Sequence, residues 1–165
     1  MAGQNSHKLD KYHGALTPAL INRNCNCVRD NPCPLGGVCN KKNMVYKAKV
    51  TNISTQIKYT YYGQTSTTFK ERLSTHKYSF NHAVAKNQTE LRKLLWKFKS
   101  REEQFNLEWK LVKFETAYKP GSKYYKLCIS EINHILFFND SVLTNKREEF
   151  LNKCRHRDKW KIENI

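Results

Sequence analysis

Tyr61-Tyr62-Gly63-Gln64-Thr65, with Arg72 and His76 a short way downstream, is the stretch on which the fold of this chain turns. It reads as a tyrosine at the end of a strand followed by a glycine turn. Arg72 and His76 stand at i and i+4, so a helix through them projects both side chains from one face. Upstream, Met44, Tyr46, Ala48 and Val50 alternate with Val45, Lys47 and Lys49, and then Ile57, Tyr59 and Tyr61 alternate with Lys58, Thr60 and Tyr62. The two runs, separated by a polar turn around residues 52 to 56, predict an antiparallel hairpin that carries Tyr46 and Tyr61 on one sheet. Gly63 is expected to end that hairpin.

Thr68 and Glu71 then form a capping box that opens a helix running to about Phe80, with Phe69, Leu73 and Phe80 as its buried stripe. Leu91, Leu94, Leu95 and Phe98 have the spacing of a second helix, over about 88 to 100. Phe105, Leu107, Trp109 and Leu111 alternate as a third strand, and a loop with Pro120 and Gly121 leads to a helix over about 124 to 138. The pattern predicts an α/β (α+β) domain, a short antiparallel sheet flanked by helices.

The last helix carries an odd placement. Leu127, Glu131 and Ile135 are spaced by four, so a carboxylate lies on the stripe that should face the core. A buried charge is costly unless it is paired or binds a metal. Three readings stay open: a metal ligand, a salt bridge to a lysine, and a helix rotated so that Glu131 reaches solvent.

The chain has 165 residues, with 30 Lys and Arg against 14 Asp and Glu, a formal net charge of +16 spread along its length. Such an excess attracts a polyanion. No apolar run approaches the roughly 20 residues needed to span a bilayer, and no signal-peptide pattern opens the chain, so nucleic acid is the expected partner and a membrane is not. Lys70, Lys77, Lys97, Lys99, Lys123 and Lys126 are expected to face DNA as a group, whereas Trp96, Trp109 and Trp160 read as packing residues.

Of six cysteines, Cys25, Cys27, Cys33 and Cys39 fall within fifteen residues, around Pro32, Pro34, Gly36 and Gly37. With no secretory signal, this reads as a metal site rather than a disulfide framework: one structural Zn²⁺ that folds a segment too short to have its own core. A Cys-x-Cys pair is tight for two ligands of one ion, so a set that uses three of the four and borrows Cys128, Cys154 or His156 is the alternative, and free thiols without metal are the other. The expected organisation is an N-terminal arm over 1 to 24 that resembles a leader from a longer parent, a zinc knuckle over 25 to 43, and the main domain over 44 to 165 with a basic C-terminal extension.

In this order the residues resemble the GIY-YIG endonucleases. Val45-Tyr46 stands at the first motif, with Met44 in the place of its glycine, and Tyr61-Tyr62-Gly63 at the second, with Tyr62 where isoleucine is common. Arg72 and His76 fit the helix positions, Glu131 the metal-binding glutamate and Asn145 the distal asparagine. Asn24-Cys25-Asn26-Cys27, Cys33-Pro34-Leu35 and Cys39, followed by Val45-Tyr46-Lys47-Ala48, together with Asn145-Lys146-Arg147 and Cys154-Arg155-His156-Arg157, resemble the endonuclease domain of Penelope-like retroelements.

What the resemblance implies is a GIY-YIG nuclease-like fold and a nuclear, divalent-metal-dependent enzyme. It would nick target DNA to supply a primer end for a reverse transcriptase region of the same parent protein. Hydrolysis of a phosphodiester needs a proton acceptor for water, positive charge at the phosphate and help for the leaving oxygen. The implied roles are Tyr46 as the group that deprotonates water, Tyr61 beside it positioning water or phosphate, and Arg72 as the phosphate's bidentate partner. Glu131 would hold Mg²⁺ or Mn²⁺, Asn145 would orient phosphate or water, and His76 either assists proton transfer or is structural; His82 is a lesser candidate. The alternative is a zinc-stabilised nucleic-acid-binding module with an inactive nuclease fold.

Overall fold

A computed structural model describes residues 25–28, 32–85, 87, 89–122, 125–137 and 142–146. The expected arm over 1 to 24 and the C-terminal stretch from 147 lie outside the described residues. Strands β1 (Met44–Asn52) and β2 (Lys58–Thr65) pair antiparallel, with Tyr46 opposite Gly63 and Ala48 opposite Tyr61. Strand β3 (Phe105–Phe114) runs antiparallel along the other side of β1, and the two-residue β4 (Val142–Leu143) lies parallel to β2, giving the order β3-β1-β2-β4. Three helices complete a mixed α+β architecture: α1 (Phe69–Asn81), α2 (Glu90–Ser100) and α3 (Lys126–Phe137).

Alternation along β1 decides which helix covers which face. Met44, Tyr46, Ala48 and Val50 are buried against Phe69 of α1 and Leu91, Leu95 and Phe98 of α2. Val45 points the other way and packs with Tyr125 and with Leu127 of α3. The helices therefore flank the sheet on both faces, as the pattern predicts, and each fully buried leucine among them contributes about 1.5–3 kcal/mol. The capping box forms: Thr68 Oγ1 accepts from Glu71 N, while Glu71 Oε2 accepts from Thr68 N. That fixes where α1 starts and, with it, the direction in which Arg72 leaves the helix.

Two local expectations are corrected. Gly63 does not end the hairpin, because β2 continues to Thr65 and Gly63 pairs with Tyr46 inside the ladder. The buried side of α1 is also turned from the expected stripe: Phe69, His76 and Ser79 are buried, whereas Leu73 and Phe80 are only partly so. Polar bonds explain the rotation. His76 is held by Tyr46, Ser79 Oγ donates to the His76 carbonyl at 2.7 Å, and Trp96 Nε1 of α2 donates to the Ser79 carbonyl at 3.0 Å.

Candidate active site and metal centre

Tyr46 is the centre of the first site. Its hydroxyl receives a hydrogen bond from Arg72 Nε at 3.0 Å and lies 2.8 Å from His76 Nε2, while Phe69 and Trp109 meet its ring edge-on or tilted, with centroids 5.1 and 5.7 Å away. Arg72 and His76, one turn apart on α1, thus converge on one oxygen. Two features of the sheet aim that oxygen. The β1–β3 register shifts between Val45 and Tyr46, the kind of bulge that redirects a side chain. Opposite, Gly63 leaves the space that the tyrosine fills: a Cβ there would lie 2.6 Å from the Tyr46 hydroxyl oxygen and 2.9 Å from Tyr61 Cε1.

The electrostatics follow from this packing. Tyr46 and His76 are each 0% exposed. Burial raises the Tyr46 pKa, with Arg72 acting against the rise and Glu131 adding to it. His76 is driven down to about 3, first by burial and then by the Arg72 and Arg92 charges, so it is neutral at physiological pH. Burial disfavours charge on Arg72, but the neighbouring oxygens of Tyr46 and Tyr61 and the Glu131 carboxylate outweigh it and keep the guanidinium firmly protonated. Arg72 uses only Nε within the described residues, so its two terminal nitrogens are left for a ligand.

Glu131 sits half-buried on α3 between the buried Leu127 and Ile135, and its charge is felt at both Tyr46 and Arg72. Helix α3 is thus not rotated to put Glu131 fully in solvent. Tyr61 lies buried on the same face of the sheet as Tyr46.

Asn145 is buried, but not as a free side chain facing the cluster: its Oδ1 accepts from Tyr62 N at 2.7 Å and its Nδ2 donates to Tyr62 O at 2.9 Å. It extends the pairing of β4 with β2 and holds the Tyr62 backbone next to Gly63. His82 does not join the cluster either; it is exposed, stacked on Tyr78 and bonded to the Tyr78 carbonyl. Arg92 on α2, by contrast, went unnoticed in the sequence, where an arginine beside Leu91 reads as the wet side of an amphipathic helix. It is 2% exposed, and its charge acts on Tyr46, His76 and Arg72.

Lys70, Lys77, Lys97, Lys99 and Lys126 are exposed, while Lys123 lies outside the described residues. Trp96 and Trp109 are packing residues, as expected, and Trp160 also lies outside the described residues.

The second site is the cysteine cluster. The sulfurs of Cys25, Cys27, Cys33 and Cys39 all lie within 4.8 Å of one another, with Cys27 and Cys39 at 3.5 Å. Tetrahedral Zn²⁺ with Zn–S bonds of about 2.3 Å holds its sulfurs about 3.8 Å apart, so these four can close on a single ion, and a soft all-thiolate set favours zinc. Gly36 and Gly37, at φ +63° and +105°, turn the chain so that backbone N–H groups point at sulfur. Burial opposes ionisation of Cys33, but the N–H groups of Gly37, Leu35 and Cys39 bring its pKa to about 7. Burial, together with the neighbouring thiols of Cys27 and Cys33, pushes Cys39 strongly up, a penalty that a bound dication would reverse.

The tight Cys-x-Cys pair can supply both sulfurs, so the four cysteines could hold one ion without a borrowed residue. Cys128 is not one: it sits on α3, against the opposite face of the sheet, and accepts from Gln64 Nε2 at 3.4 Å. Cys154 and His156 lie outside the described residues. The knuckle is docked rather than tethered. The Cys39 carbonyl accepts from Lys70 N at 2.9 Å, Lys70 Nζ donates to Asn26 Oδ1 at 2.6 Å, and Leu35 and Cys39 are buried in the main core.

No protein-family model, curated protein or solved structure matches this chain. No helix among the described residues is long and apolar enough to cross a membrane.

Proposed function

We propose that this chain is a divalent-metal-dependent endonuclease of the GIY-YIG type, which nicks DNA by hydrolysing a phosphodiester. The observation that carries the reading is the Tyr46 hydroxyl held between Arg72 Nε and His76 Nε2. A buried phenol linked at once to a guanidinium and a neutral imidazole has a route for its proton and a charge to stabilise what remains. As water attacks phosphorus, the Tyr46 oxygen takes the water's proton while its own hydrogen passes to His76 Nε2. The terminal nitrogens of Arg72 bind the non-bridging oxygens, whose negative charge grows in the transition state. An arriving phosphate also offsets the Arg72 and Arg92 charges, which add to burial in holding His76 down.

Among the described residues, the four cysteines are the only cluster of three or more side chains that could hold a metal. Glu131 would therefore be the single protein carboxylate on Mg²⁺ or Mn²⁺, with waters and phosphate oxygens completing the shell, which suits an ion that dehydrates reluctantly. The ion would supply charge at the departing 3′ oxygen. Glu131 fits that duty because it is half-buried and within electrostatic reach of Tyr46 and Arg72.

The Penelope-like motifs extend the proposal: the nick supplies the primer end for a reverse transcriptase region of the same parent protein, acting in the nucleus. A second reading, a zinc-stabilised nucleic-acid-binding module with an inactive nuclease fold, is favoured by one observation, the complete burial of Tyr46 and His76. Zinc-loaded protein incubated with supercoiled plasmid, with and without Mg²⁺, separates the two. Nicked circles that need Mg²⁺ and vanish in Tyr46→Phe support the enzyme. Plasmid that is bound but never cut by folded protein selects the binding module.

A further inference from the structure

Strand β3 lies at the edge of the sheet, and among the described residues no strand pairs with its outer side. None of its ten residues is buried, although Leu107, Trp109 and Leu111 pack against the core on the Tyr46 face. A long edge with half-buried apolar side chains invites another strand. The β1–β3 ladder determines which backbone groups are turned towards such a strand. Ile53 N donates to Gln104 O at 2.9 Å, and bonded pairs recur at every second residue of an antiparallel ladder, so Asn106, Glu108 and Lys110 turn their N–H and C=O groups to β1. Phe105, Leu107, Trp109 and Leu111 therefore turn theirs outward.

Charge selects the partner. Glu108 and Lys110 flank Trp109 in sequence but lie on the other face of the sheet, both exposed, and neither makes an ion pair among the described residues. Lys110 stands across β1 from Lys47, an unfavourable pairing of like charges, and Glu108 stands across from Lys49. A second β3, laid antiparallel about a twofold axis through Trp109, sets Glu108 opposite the partner's Lys110 and Lys110 opposite the partner's Glu108. Each Glu108 then sits between its own Lys49 and the partner's Lys110. The same register matches outward groups with outward groups: Trp109 meets its counterpart and Leu107 meets the partner's Leu111, so that about six backbone bonds form. An axis at Glu108 or Lys110 would put like charges together, and one at Leu107 or Leu111 would leave Glu108 and Lys110 apart.

We propose that β3 is the docking edge for a second copy of this chain, joined antiparallel about Trp109 into a twofold dimer whose two four-stranded sheets become one. Apolar cross-strand pairs hold the Tyr46 face of the joint, and Glu108–Lys110 ion pairs hold the other face. The inference stands apart from the nuclease reading and is tested without cleavage. Glu108 and Lys110 face away from Tyr46, so changing their charges leaves the Tyr46, Arg72 and His76 cluster in place.

The test uses the full, zinc-loaded chain in sedimentation velocity over a range of micromolar concentrations, at about 0.3 M salt to screen the net charge of the two copies. The wild type passes from monomer to dimer as concentration rises. Glu108→Lys removes both ion pairs and leaves a row of lysines across the joint, so the dimer weakens by at least about tenfold. Mixing Glu108→Lys protein with Lys110→Glu protein restores opposite charges in both pairs of the mixed dimer, and association returns to near the wild-type level. Circular dichroism melts establish that both variants are folded. In the wild type, the amides of Leu107, Trp109 and Leu111 exchange more slowly as concentration rises. If Glu108→Lys does not fold, that concentration dependence decides alone. A wild type that stays monomeric at every concentration overturns the proposal, as does a dimer that folded Glu108→Lys leaves unchanged or that mixing fails to restore. Outer amides protected equally at all concentrations in a monomer also overturn it, and give the edge to another segment of the same chain.

Discussion

Tyr46 and Gly63 stand opposite each other across the β1–β2 ladder, and a Cβ at residue 63 would come within 2.6 Å of the Tyr46 hydroxyl oxygen and 2.7 Å of its ring carbon Cζ. Glycine is required there for close approach, since its backbone is ordinary extended strand and only the missing side chain matters.

Gly63→Ala is therefore expected to displace the Tyr46 ring and break its bonds to Arg72 and His76. Overpacking of this kind costs about 1–3 kcal/mol, read as a lower urea midpoint. Nicking should fall far more than stability, by about a hundredfold or more, because the proton route is misaligned. An alanine variant with wild-type turnover would mean that the hydroxyl position is unimportant.

Glu131→Gln should separate metal binding from folding. The amide keeps the volume on α3 and removes the charge that a hard cation needs. Cleavage in Mg²⁺ is expected to drop by at least about a hundredfold, while DNA affinity in gel-shift titrations stays within a few-fold of wild type. If affinity and cleavage fall together, along with the melting temperature, Glu131 is a residue of the fold and not of the reaction.

Asn145→Ala tests whether this asparagine serves the backbone. Removing the amide strands a buried N–H and a buried C=O of Tyr62, at about 1–3 kcal/mol. Asn145→Asp should be no rescue, since a carboxylate would place an acceptor against the Tyr62 carbonyl. Both variants should lose stability in parallel with activity, with the pH profile of the remaining activity unmoved. A fall in kcat without any loss of stability would return Asn145 to the phosphate.

What was legible in the sequence is what repeats locally. The alternation of Met44, Tyr46, Ala48 and Val50 marks β1 and its buried face, and Thr68 with Glu71 marks the start of α1. The four clustered cysteines read as a metal site, and the structure brings their sulfurs within 4.8 Å of one another, where they could hold one ion. The errors came where a distant partner decides. Gly63 looks like a turn until Tyr46 is seen across the ladder, and the bonds that Asn145 makes to the Tyr62 backbone leave no local mark in the sequence. Arg92 follows Leu91 and precedes Lys93, a local pattern that any solvated helix face would carry, and only the packing of α2 on α1 makes it interior. Strand β4, two residues long and parallel to β2, has no periodicity to read.

The cysteine centre offers a test independent of any cleavage. Its four sulfurs come from a stretch with little core of its own, and the stretch reaches α1 through the Cys39 carbonyl and Lys70 N–H. Purified protein should hold about one zinc per chain by elemental analysis. Replacing Cys33 and Cys39 with serine should abolish it, since both the soft ligand and the thiolate favoured by the Gly37, Leu35 and Cys39 N–H groups are lost. Because the knuckle shares Leu35 and Cys39 with the main core, zinc loss should also lower the thermal midpoint of the whole domain and expose the start of α1 to hydrogen exchange. Brief treatment with a mild chelator should act differently: it strips a weakly held Mg²⁺ and stops nicking while the fold persists, and added Mg²⁺ restores the rate. Folded, stable protein without zinc would sink the metal centre and leave the four cysteines as packing.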